Sequence, residues 1–188
     1  FMKKKFKLFA TIGSLALAIC MMTIGVLAAA QVTLDVNSTV SFNVSSVFST
    51  ITGVADGTGA ADKFTVKTYS GEGTSMTPVA TIAAQDLGNM NFTDDDTQIV
   101  YTFTISNDAP AGTGNTSVQY SVALAGETTT ALESATQLSG EFSDNASGKI
   151  AQGAKAVTVT YTLTLSDVTK SFAAVNISFD ISVSAVAA

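Results

Sequence analysis

The sequence predicts an all-β fold, an antiparallel β-sandwich, and three observations carry that prediction. Apolar and hydroxylated residues take turns over long stretches, the period of two that belongs to strands with one buried face. The alternating positions hold many Val, Ile and Thr, residues that lose χ1 freedom in a helix and suit a pleated surface better. Between the stretches lie GVADGTGAAD, SGEGTS, NDAPAGTGN and SGEFSDNASG, turn-rich pieces at the spacing of short antiparallel strands. About seven to nine strands, in jelly-roll or Ig-like order, are expected as one domain over residues 31–188.

In chain order the first element is an apolar leader helix. Lys3, Lys4, Lys5 and Lys7 precede an uncharged run from Leu8 to Ala30 that closes on Ala28, Ala29 and Ala30, the order of a secretory signal. That run is longer than the about 7–15 apolar residues of an ordinary signal and reaches the roughly 20 of a membrane span. Residues 1–30 therefore read as a signal peptide, either removed or kept as an anchor. Thr11, Gly13, Ser14, Thr23 and Gly25 dilute the apolarity and favour removal. Ile19 precedes Cys20 where a lipobox wants a small residue, so Cys20 reads as an apolar residue of the leader. The chain is expected to be secreted or held at the cell surface, and to meet a membrane only through this segment.

The strands follow. Val32, Leu34, Val36, Val40, Phe42 and Val44 share one parity, whereas Val47, Ser49 and Ile51 adopt the other, which requires a bulge or corner near Ser45 and Ser46. KFTVKTY aligns Phe64, Val66 and Thr68, and a weaker apolar stretch runs from Val79 to Leu87. QIVYTFTIS places Ile99, Tyr101, Phe103 and Ile105 on one face. SVQYSVAL repeats the scheme with Val118, Tyr120, Val122 and Leu124; TTTALESATQL then suits one short helical turn. AVTVTYTLTLS aligns Val157, Val159, Tyr161, Leu163 and Leu165, and AVNISFDISVS aligns Val175, Ile177, Phe179, Ile181 and Val183. Tyr101, Tyr120 and Tyr161 thus fall on inward faces. The inward side chains of one hairpin do not offset the entropy of fixing its backbone, so two sheets must pack face to face.

Composition narrows the function. Four of the nine Lys lie in the leader and Arg is absent, so the exported part sets five Lys against fifteen Asp and Glu. Such a surface repels nucleic acid and anionic lipid, which are bound through clustered cations. With Cys20 in the leader, residues 31–188 hold no thiol for a disulfide or a metal. Histidine is absent as well, which removes the usual general base and every Ser-His or Cys-His pair. A protein that is not an enzyme and carries no cofactor is expected, with Ca²⁺ the one ion to weigh.

Asp94, Asp95 and Asp96 form the densest charge and are the candidate Ca²⁺ ligands, since that ion takes about six to eight oxygens. Their loop does not match an EF-hand, because Ile99 stands where the required Gly would be; a solvated turn is the competing reading. Lys149 follows Gly148, but Ser143 and Ile150 depart from a P-loop. Sequons at Asn37, Asn43, Asn91, Asn115, Asn145 and Asn176 match what a Ser, Thr and Asn-rich chain yields by chance. The long strands have hydroxylated outer faces and few charges, and such edges pair with other chains. Val32, Leu34, Val36, Val40, Phe42 and Val44 are the candidate assembly residues: their strand either completes its own sandwich or is donated to a neighbour's sheet.

The Lys-rich leader ending in small residues, the opening VTLDVNSTVSF, the IVYTFTISND strand and the closing VTVTYTLTL and SFAAVNISFDISV pair resemble secreted β-sandwich proteins of Gram-positive bacteria. The ensemble is similar to the TasA/camelysin family, which has a dedicated signal peptidase. That resemblance implies a jelly-roll-like sandwich, export, and self-association into biofilm-matrix fibres through donated N-terminal strands. Camelysins are also described as metalloproteases, and here the chain departs: without His or an HExxH motif, no zinc-protease residue carries over. The resulting expectation is a structural fibre subunit assembling by strand addition, with a monomeric surface module for a glycan or Ca²⁺ as the alternative.

Overall fold

Alternation gives each of two sheets one apolar face, and the two faces meet. In the computed structural model, which describes residues 34–93, 96–111, 116–167 and 174–187, the chain from Thr33 to Ala188 forms one compact unit. Its elements are β1 (Leu34–Ser45), β2 (Thr50–Asp56), β3 (Thr58–Ala61), β4 (Lys63–Lys67), β5 (Tyr69–Ser70), β6 (Thr77–Pro78) and β7 (Gln85–Phe92). After them come β8 (Gln98–Ile105), β9 (Thr116–Leu124), α1 (Gly126–Ser134), β10 (Leu138–Phe142), β11 (Ser147–Ile150), β12 (Val157–Leu165) and β13 (Val175–Ala187). One sheet runs β11-β9-β13-β1-β7-β3 and the other β10-β12-β8-β2-β4; β5 and β6 form a small separate pair. Each of these strand pairs is antiparallel save β1 with β13, which is parallel. The all-β sandwich read from the sequence is the fold observed.

Aromatic rings lock the two layers. Phe179 of the six-stranded sheet lies 4.9 Å from the Tyr101 ring, 5.0 Å from Phe103 and 5.5 Å from Tyr161, all on the five-stranded sheet. Offset and edge-on contacts of this kind contribute beyond area burial. Phe42 meets Phe64 edge-on at 5.6 Å further along the same interface. Tyr101, Tyr120 and Tyr161 are all buried, as their parity requires.

The parity switch after Val44 is a corner. β1 ends at Ser45, Ser46 adopts a φ of 47°, and the chain crosses to the opposite sheet, where Val47, Ser49 and Ile51 turn inward. A left-handed conformation is uncommon for Ser and marks the reversal of strand course.

Three segments differ from the sequence reading. The strand expected over Val79–Leu87 lies instead at Gln85–Phe92, because a bulge lets Leu87, Met90 and Phe92 face inward despite mismatched parity. Gly88, at a φ of 85°, supplies the backbone for that bulge, and its N–H donates to Asp86 Oδ1 at 2.8 Å. GVADGTGAAD and SGEFSDNASG are not turns alone: they hold the end of β2, β3, β10 and the start of β11. Short edge strands expose one side and need no apolar alternation, so their sequence resembles turn sequence. Finally, TTTALESATQL contributes to a nine-residue helix rather than a single turn. Thr128 fastens it, accepting from Ser178 N–H at 2.6 Å and donating to the Ser178 carbonyl at 3.3 Å.

Candidate assembly surface

β1 sits between β13 and β7, in the interior of the six-stranded sheet. Leu34, Val36 and Val40 are fully buried, Phe42 and Val44 pack half-buried against the same core, and Val32 lies outside the described residues. Ten consecutive residues, Val36 to Ser45, pair in parallel with Val175 to Ser184. On its other side, Leu34 to Val40 pair antiparallel with Phe92 to Gln85, through the bulge. Neither neighbour is joined to β1 by a hairpin. The strand's covalent link within the described domain is the corner at Ser46, so its contacts depend on a slot and not on a local turn.

The buried face of β1 also holds Ser38, a residue the apolar pattern passes over. Its hydroxyl shares a 2.7 Å hydrogen bond with the Tyr101 hydroxyl across the two layers, with both side chains fully buried. Burial pushes the Tyr101 phenol up from its ordinary pKa; the Ser38 bond acts the other way and neighbouring Tyr161 adds to the rise. Burial likewise pushes Tyr161 up to about 12. The Tyr161 hydroxyl has no hydrogen-bond partner among the described residues and occupies the space a side chain at Gly140 would fill. The sequence reading passes over Ser38, although its even parity with Val36 and Val40 is the signal that marks it as inward.

The outer face of β1 is polar, with Asp35, Asn37, Thr39, Ser41 and Asn43 exposed, and Thr39 Oγ1 lies 3.0 Å from Ser178 Oγ. Asn37 stands opposite Asn176. Shallow polar depressions cross both outer faces, one over Asn43, Gln119, Ser121 and Ser182, the other over Gln98, Thr160, Thr162 and Glu141.

Of the acidic triplet, Asp94 and Asp95 lie outside the described residues. Asp96 closes the turn between β7 and β8: its Oδ2 accepts from Thr58 Oγ1 at 2.7 Å, and its N–H donates to Thr93 Oγ1 at 3.1 Å. Among the described residues no three His, Cys, Asp or Glu side chains gather as metal ligands would. A different carboxylate, Asp108, collects hydroxyls: Thr50 donates to it at 2.6 Å, Ser106 at 2.6 Å and Tyr69 at 3.1 Å. Its backbone N–H donates to the Phe48 carbonyl at 2.8 Å, so the carboxylate ties β2, β5 and the end of β8 together. Asn107 beside it donates to the Ile150 carbonyl at 2.9 Å. Asn107, Asp108 and Pro110 signal a strand end in the sequence, and nothing in their spacing announces these long-range partners. No helix among the described residues is long and apolar enough to cross a membrane.

No protein-family model matches the chain, and no curated protein does. Among solved structures, the chain is similar to a crystal structure of the major pilin from Streptococcus pyogenes, with 10% sequence identity and a TM-score of 0.22. The match covers 80% of this chain and 48% of the pilin, so the chain spans about half that protein's length.

Proposed function

We propose that this protein is an exported, non-enzymatic structural subunit that polymerises into a cell-surface or matrix fibre by exchanging β1 between copies. The observation that carries the reading is the seat of β1: an interior strand whose hydrogen-bonded neighbours, β13 and β7, are both remote in sequence. An identical strand from another copy makes the same contacts, so the two ladders and the buried face that the resident strand gives up are restored, with the corner at Ser46 as the hinge. β1 is also the first described strand, the position nearest to a leader that export would remove. The lack of His and Arg and the acidic surface fit a structural role outside the cell better than catalysis or nucleic-acid binding.

The test compares the purified protein with a variant lacking residues 31–44, by electron microscopy and sedimentation. Fibres are expected from the intact chain alone, and a synthetic peptide of residues 34–45 is expected to bind the shortened chain and to stop fibre growth. Fibres from the shortened chain, or monodisperse behaviour of both at high concentration, would overturn the reading.

A further inference from the structure

We propose that the two sides of the sandwich are complementary docking edges that join neighbouring fibres laterally, each side receiving the opposite side of another copy of this chain. This rests on the chain forming fibres, and it names a contact that β1 exchange leaves untouched, because β1 lies mid-sheet and away from both sides.

The topology places the edges. Asp62 alone separates β3 from β4, so these strands end their respective sheets on one side of the sandwich. Four residues, Ser143 to Ala146, separate β10 from β11, which end the two sheets on the other side. Each is a terminal strand with a row of backbone groups turned away from its sheet, the arrangement that templates pairing with another chain.

Charge is sorted by sign between the two ends of the five-stranded sheet. In the five-stranded sheet, β4 exposes Lys63 and Lys67, whereas β10 exposes Glu141 and leads into exposed Asp144. In the six-stranded sheet β11 exposes Lys149, whereas β3 has no charged residue of its own and is followed by exposed Asp62. A copy translated sideways therefore brings β4 to β10 and β11 to β3, setting cation against anion in the five-stranded layer. Charges that merely blunt an edge against aggregation need no such segregation of sign. Because the two sides differ, the contact is heterologous and repeats without closing. Lys67 is held at its edge by the ring of Tyr69, 5.5 Å from Nζ.

The test uses two full-length variants, Lys63→Glu with Lys67→Glu and Glu141→Lys with Asp144→Lys, observed by electron microscopy for fibre width and bundling. The intact protein is expected to form bundled fibres, each variant alone to form single unbundled ones, and an equimolar mixture to bundle again, since each variant then supplies the sign the other needs. Bundling of the intact protein is expected to disperse at about 1 M salt, where the screening length falls to about 3 Å. The inference is overturned if either variant bundles alone, if the mixture fails to bundle, or if intact fibres never bundle. An effect confined to the lysine variant would also overturn it, by showing a closed contact of one side with itself. If deleting residues 31–44 abolishes fibres while these charge reversals change nothing, this inference alone falls; if the intact chain forms no fibres, both readings fall.

Discussion

The two sheets reach similar ends by different means. On the outer face of the five-stranded sheet, Thr65, Thr52, Thr104 and Thr158 stand opposite one another across β4, β2, β8 and β12, and Thr160, Thr162 and Thr164 continue along β12. Its central strands, β8 throughout and β12 from Val159 onward, bury every second residue. The six-stranded sheet is less regular: its outer face mixes Asn, Ser, Asp and Gln, β7 carries a bulge, and a serine sits in the buried row of β1. It is completed only when the first described strand lies parallel to the last. Both sheets close through distant segments, but regular alternation fixes the register of the five-stranded sheet by burial alone, whereas the six-stranded sheet needs a bulge and a parallel closure.

The largest expected effect breaks the contact between them. Phe179→Ala removes the ring that touches Tyr101, Phe103, Tyr161 and Phe142. A loss of about 3–5 kcal/mol is expected, read as a lower urea midpoint with native secondary structure retained at zero denaturant. A loss below about 1 kcal/mol would mean that the layers are held elsewhere.

A smaller effect sharpens the comparison at its polar tie. Ser38→Ala leaves the buried Tyr101 hydroxyl without its partner and is expected to cost about 1–3 kcal/mol, most of which Tyr101→Phe restores in the double variant. Additive losses in that double-mutant cycle would contradict the pairing. Tyr161→Phe, by contrast, deletes a hydroxyl that has no partner among the described residues and is expected to leave the midpoint unchanged or raised.

The smallest effect is on pH dependence. Tyrosine ionises near pH 10 in the unfolded chain, whereas the folded state holds Tyr161 protonated to about 12 and Tyr101 higher still. Between those values the unfolded state binds fewer protons, so stability is intact below pH 10 and falls as pH rises beyond it. Chemical denaturation across that window, with Tyr101→Phe and Tyr161→Phe combined, is expected to show a shallower decline than the parent; equal slopes would assign the decline to other groups.

The core strands were legible because burial and pleat impose the same period. Ile99 to Ile105, Val159 to Leu165 and Val175 to Val183 need nothing beyond their own alternation to be read. The assembly strand was legible as a strand: Leu34, Val36 and Val40 are buried as their parity demands. Its neighbours were not, since nothing in VTLDVNSTVSF names β13 or β7. β7 was misplaced because Gly88 resets parity through a bulge, which a count of alternation cannot register. β3, β10 and β11 were hidden because an edge strand is half solvated and spells turn residues. The hydroxyls around Asp108 come from positions 50, 69 and 106, a convergence only the folded chain creates.

The sequence by itself determined the layer type, the inward side of each principal strand and the chemistry excluded from the surface, because these depend on residue identity and a period of two. Tertiary structure alone decided that the first described strand lies beside the last, that Ser38 meets Tyr101, and that Lys63 and Lys67 end the five-stranded sheet opposite Glu141. Those outcomes depend on which distant backbones share hydrogen bonds, and alternation is the same whichever partner a strand takes.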